Sequence, residues 1–242
     1  MTLVVAYVLT GSASLYFLAF KKKVLSPRLF HSGSVSSWKK VLHVGLPSIV
    51  NNLAVPLPVA FATWMVADLG KEAVAALGVS TRIENFAVLI FYATGAGMSS
   101  LIGQNFGAGN YGRVSETVRI AARYALMWGL AIAGILWLTA DKIPLFFTTH
   151  PQVVAYTAQY LHIVPLSYAG TGLMIVSNGA LNAMGKPLPA TALVLVRALV
   201  IYIPLAYFAE KAQGFTGILV ALAATNILIG IIAFLWNKKL TP

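Results

Sequence analysis

No cysteine occurs among the 242 residues, which excludes disulfides, thiolate nucleophiles and cysteine-based metal centres. Acids are nearly as scarce: six Asp and Glu stand against 17 Lys and Arg, and charged residues of both signs make up 10% of the chain. Soluble globular chains carry about 25%. There is no Ser/His/Asp set, no phosphate-cradling loop and no cluster at metal-ligand spacing. The sequence therefore offers no catalytic residues, no metal site and no bound cofactor, and an enzyme is not expected. A secretory signal peptide is not expected either. Met1 opens directly onto an apolar stretch, and Lys21, Lys22 and Lys23 follow it in place of a small-residue cleavage site.

What is present is hydrophobic. Apolar residues make up 59% of the chain, against about 45–50% in soluble proteins. Nearly every charge lies between apolar runs of about 20 residues, the length a helix needs to cross roughly 30 Å of hydrocarbon. Runs such as 120–140 are apolar on all faces, whereas a membrane β-barrel alternates polar and apolar positions. The expected fold class is all-α: a polytopic membrane helix bundle of about seven transmembrane helices. They lie near 1–20, 41–68, 72 or 83–104, 118–140, 153–180, 188–209 and 216–236.

A net charge of +11 raises nucleic-acid binding, but the distribution of the charge argues for a lipid bilayer instead. Segment 21–40 holds Lys21, Lys22, Lys23, Arg28, Lys39 and Lys40 without an acid, as a cytoplasmic linker would. Alternation then puts Arg113, Arg119, Arg123, Lys186, Lys238 and Lys239 on the same side. Lys71, Lys142 and Lys211, each beside an acid, fall on the other. The expected topology is multi-pass, with the N-terminus outside and the C-terminus in the cytoplasm, in a plasma membrane such as the bacterial inner membrane.

Several spans are interrupted. Pro47, Pro56 and Pro58 fall in the second, Pro165 in the fifth and Pro204 in the sixth. Each removes a backbone donor, and such breaks persist in a membrane where neighbouring helices or a wet cavity satisfy the freed carbonyls. Bent helices around a cavity suit a transporter. Asn51 and Asn52, deep in the second span, either line a substrate or cation path or bond a neighbouring helix. Glu84 has two readings as well. Were Thr81 an N-cap, Thr81-Arg82-Ile83-Glu84 would be a capping box at the membrane surface. Were the helix to begin near Glu72, Glu84 would lie about 18 Å along it, where an acid serves to bind protons, cations or a cationic substrate. Residues 73–79 are too apolar for an exposed loop, which favours the deep placement. Arg197, inside the sixth span, must face protein, water or the inner interface. Gln159 and His162 could join the inward face of the fifth helix, though a lone His is a poor metal ligand.

The loop after the third span reads Gly103-Gln104-Asn105-Phe106-Gly107-Ala108-Gly109-Asn110-Tyr111, a glycine-rich turn. It resembles the signature loop of the multidrug and toxic compound extrusion (MATE) transporters. Gly45-Leu46-Pro47, Arg82-Ile83-Glu84, Asn182-Ala183-Met184-Gly185-Lys186-Pro187 and Ile203-Pro204-Leu205-Ala206 follow in the order that family would show, over essentially residues 38–242.

The resemblance implies two six-helix lobes around a cavity, from which cationic or amphipathic compounds are exported in exchange for protons or sodium ions. On that plan 1–20 is the last helix of a missing N-terminal lobe, 21–40 a basic interlobe linker and 41–242 a complete six-helix C-terminal lobe. Gly103, Gln104, Asn105, Gly107, Gly109, Gly185 and Pro187 would be structural turn residues, with Glu84, Asn51 and Asn52 on the substrate or cation pathway. The acids that some members carry in the first and fourth helices of this lobe have no counterpart here, which leaves the coupling ion open between proton and sodium. Alternatives are a non-transporting truncated product, an assembly module that needs a separate first half, or a relative of the lipid-linked flippases.

Overall fold

In hydrocarbon a backbone amide has only other backbone to bond, so long apolar runs must close their hydrogen bonds within helices. A computed structural model of the chain describes residues 2–21, 38–39, 41–42, 45–46, 49–50, 53–54 and 56–240. They divide into two units, Met1–His43 and Val44–Pro242.

The first unit contains α1, Thr2–Tyr16, continued by a π-helical turn, Phe17–Lys21. Its large apolar side chains, Tyr7 and Leu9 among them, are exposed.

The second unit contains α2 (Leu57–Ala67), α3 (Lys71–Gly107), α4 (Tyr111–Leu138), α5 (Pro151–Ile163), α6 (Tyr168–Ala183), α7 (Pro187–Leu195) and α8 (Ile203–Leu240). Among the described residues five stretches are long and apolar enough to cross a membrane: Val4–Lys21, Lys71–Gly107, Tyr111–Leu138, Pro151–Ala183 and Pro187–Asn237. The last is 51 residues long, or about 76 Å at helical rise, more than twice the hydrocarbon thickness. It turns at Gly214 (φ 56°, ψ −131°) and so supplies two crossings. With the shorter apolar α2 this is a bundle of the expected kind.

Proline explains the two irregular joints. Pro165 lies in a 3₁₀ turn, Val164–Ser167, that joins α5 to α6. Pro204 follows a π-helical segment, Val196–Tyr202, that joins α7 to α8, and there the Ile203 amide bonds the Ala198 carbonyl five residues back. The ring of Pro204 cannot continue the ordinary ladder, and the wider turn takes up the mismatch. Pro56 and Pro58 sit at the start of α2, where a missing amide proton costs little. Pro47 lies outside the described residues.

Small residues bring the helices together. Ala121, Ala122 and Ala125 of α4 and Ala73, Ala76 and Ala87 of α3 are buried, while Phe86, Leu130, Leu138 and Phe208 are exposed on the outside. Small residues at these helix contacts, with large apolar groups turned outward, suit lipid, where close packing rather than water exclusion drives association. Trp128 ties α4 to α3 by donating its indole N–H to the Ala87 carbonyl at 3.0 Å.

Candidate functional site

α3 begins at Lys71, so the longer of the two sequence readings holds and the capping box does not form. The Thr81 hydroxyl instead donates to the Gly78 carbonyl at 3.1 Å, in mid-helix. Glu84 therefore lies about 20 Å from the start of α3, and within about 8 Å of its midpoint. Thr81, Glu84, Val88, Tyr92, Gly95 and Ser99, spaced by three or four residues, form one stripe of α3 along a cavity of about 710 Å³. Thr171, Met174, Asn178 and Asn182 form the matching stripe of α6, and Pro56, Pro58 and Val59 close part of the wall from α2.

Two charged side chains, Glu84 and Arg197, line this cavity and do not pair with each other. Glu84 accepts a hydrogen bond from the hydroxyl of Tyr160, which α5 holds almost fully buried. Arg197 projects from the π-helical segment and donates through Nη2 to Oδ1 of Asn226 at 2.8 Å. The amide of Asn226 donates in turn to Ser167 Oγ at 3.0 Å, and that hydroxyl donates to the Val164 carbonyl at 2.7 Å. Carboxylate and guanidinium are each held by a neutral partner, and among the described residues the recorded ion pair is His162–Asp141, at 3.5 Å. Replacing Tyr160 with phenylalanine removes a donor and leaves a half-buried carboxylate without it. A loss of about 2 kcal/mol in unfolding free energy is expected, to be read by denaturant titration in micelles, with Tyr7→Phe on exposed α1 as the neutral control.

The remaining predicted residues are distributed as follows. Asn51 and Asn52 lie outside the described residues. Gly103, Gln104, Asn105 and Gly107 belong to the last turns of α3, which runs further than the expected end near 104. Asn105 extends it by bonding its side-chain amide to the Leu101 carbonyl at 2.8 Å. The turn proper is a Schellman motif: Gly109 has φ 73°, its amide bonds the Phe106 carbonyl, and the Asn110 amide bonds the Asn105 carbonyl at 2.8 Å. The same device ends α6, with Gly185 at φ 70° and the Lys186 amide on the Leu181 carbonyl at 2.9 Å. Pro187 then opens α7. Gln159 bonds Thr216 of α8 at 2.5 Å, and the His162 ring sits edge-on to Trp137, so neither lines the cavity wall.

The signature turns, the cavity and the helix order can be set beside known proteins. The MatE family model matches residues 47–208. The chain belongs to the MatE family. It is 29% identical to the FAD transporter of Shewanella oneidensis, over 95% of this chain and 51% of that protein. To the multidrug export protein MepA of Staphylococcus haemolyticus it is 24% identical, over 91% of this chain and 49% of that protein. A crystal structure of a mutant of the Vibrio cholerae MATE transporter VcmN superposes with a TM-score of 0.89 and 26% identity, covering 97% of this chain and 54% of that one. The chain thus spans about half the length of the curated MatE relatives it matches.

Reasoning from the sequence missed Tyr160, Asn226 and the polar stripe of α6. The spacing of Thr171, Asn178 and Asn182 in an otherwise apolar span was a usable signal for the stripe.

Proposed function

We propose that this chain supplies the C-terminal lobe of a secondary active antiporter, which exports cationic or amphipathic small molecules in exchange for protons or sodium ions. The observation that carries the reading is Glu84 in mid-helix on the wall of a cavity of about 710 Å³, bonded to the neutral Tyr160 rather than to a cation of the protein. An acid so placed has reason to exist if a proton, a metal cation or a cationic cargo neutralises it in turn. Relatives named for multidrug export and for FAD transport support a small-molecule cargo. On this reading α1 is the last helix of a preceding lobe, 21–40 the cytoplasmic linker and 41–242 the second lobe, with the C-terminus in the cytoplasm of a bacterial cell. Asn51 and Asn52 belong to the same pathway. Rocking of this lobe against the other would expose the cavity alternately to the two sides.

The test is efflux of a fluorescent aromatic cation from cells or proteoliposomes containing the chain with its partner half. Glu84→Gln keeps the shape and the acceptor for Tyr160 but removes the charge. Efflux should fall by at least about tenfold, the effect of losing one charge-assisted contact. Undiminished efflux in the variant would sink the assignment. Co-purification of a first half with this chain would support its role as one lobe; efflux by the chain alone would refute the need for a partner.

A further inference from the structure

Among the polar groups that share the cavity with Glu84, some are donors in excess. Arg197 and Tyr202 stand five residues apart in the π-helical segment, one π turn, which puts both on one side of it, and both line the cavity. The Tyr202 side chain is fully buried, and its hydroxyl has no hydrogen-bond partner among the described residues. The hydroxyl of Thr171, also on the cavity and also buried, has none either. Thr171 lies one helical turn beyond Ser167, the residue to which Asn226 links the guanidinium. A guanidinium has five N–H donors, and the protein acceptor recorded for it here is the single amide oxygen of Asn226. Buried donors left without acceptors are costly unless a ligand satisfies them.

We propose that Arg197, Tyr202 and Thr171 form an anion subsite of the cavity, which takes the carboxylate or phosphate group of a bound compound. The inference rests on the transporter reading of the same cavity and refines its cargo. With Glu84 in the same space, the best ligand carries a positive group for the carboxylate and a negative group for the guanidinium. Planar oxyanions match the arginine fork, and the phenol and hydroxyl add neutral donors. A phospholipid headgroup shares this chemistry with a soluble organic phosphate.

Thermal stabilisation of the full chain in maltoside micelles separates these cases, with 1-naphthoate, 1-naphthyl phosphate and phosphatidylglycerol as probes. At least one anion should stabilise the protein, and Arg197→Gln should weaken its binding by about tenfold or more. Arg197→Lys, which keeps the charge without the fork, should weaken it less. Tyr202→Phe and Thr171→Val, which keep shape and lose only the donors, should each weaken it measurably. Stabilisation by naphthyl phosphate identifies a soluble occupant, and stabilisation by phosphatidylglycerol alone identifies a lipid; either supports the subsite if it depends on Arg197. No stabilisation by any anion, or equal stabilisation of Arg197→Gln, overturns it. Glu84-dependent efflux of an aromatic cation, together with no Arg197-dependent stabilisation by any of the three anions, would leave the transporter reading standing and remove only the anion subsite.

Discussion

Replacing Gly170 with alanine is expected to cost about 3 kcal/mol of unfolding free energy or to prevent folding, from the addition of one methyl group. A Cβ at this position would stand 2.4 Å from the Asn226 carbonyl oxygen and 2.9 Å from the Ile227 Cα. Across the same contact a Cβ on Gly230 would meet the Gly170 carbonyl oxygen at 2.4 Å. The obstacles are backbone atoms of α6 and α8, so no rotamer change can make room and the helices must part. Water exclusion does not drive helix association inside a bilayer, so separation of two closely packed backbones is not offset elsewhere. Parting α6 from α8 also pulls Asn226 away from Ser167, which couples the packing to the polar wall of the cavity. Denaturant titration of the micellar protein measures the effect. Gly78→Ala, where a Cβ meets nothing within 4 Å, should be neutral or slightly stabilising through helix propensity. Equal behaviour of the two variants would show that α6 and α8 do not approach as closely as described.

Such a contact could not be foreseen from the chain alone, and its invisibility marks where sequence reasoning stopped. The apolar runs announced the crossings because the bilayer imposes length and composition on each helix separately. The start of α3 was legible for the same reason: residues 73–79 have to be buried somewhere, and a helix from Lys71 buries Ala73, Ala76 and Leu77. That placement brought Glu84 to the cavity. The prolines also announced themselves, since the loss of an amide proton is local, and the turns at Pro165 and Pro204 follow from it. The partners of the two charges were a different matter. Tyr160 meets Glu84 across 76 residues of chain and Asn226 meets Arg197 across 29. Nothing in a stretch such as 222–232 distinguishes an asparagine that holds a guanidinium from one that bonds a helix backbone. Of the glycines in the first motif only Gly109 has a positive φ, because a Schellman turn has a single left-handed position, whereas Gly103 and Gly107 continue the helix.

Asn226→Leu should be nearly as damaging as the glycine change, for an electrostatic reason. Asn226 is almost fully buried and is the neutral group to which the Arg197 guanidinium donates, so leucine leaves a charge in the bundle facing apolar surface. Loss of one partner of a buried charged hydrogen bond costs about 3 kcal/mol, much of it the penalty of stranding the other partner. The same physics predicts a rescue. In the double variant Arg197→Met with Asn226→Leu nothing remains to be solvated, and most of the lost stability should return. A double-mutant cycle on thermal or denaturant unfolding therefore gives a coupling of about 2 kcal/mol. Additive losses would mean that the guanidinium is satisfied by water in the cavity and that Asn226 is dispensable to it. The rescued protein also separates fold from function, because it should be stable yet bind no naphthoate, naphthyl phosphate or phosphatidylglycerol. If it bound them as well as the unaltered chain, the guanidinium would be a structural strut and the donors of the cavity wall would have no anion to meet.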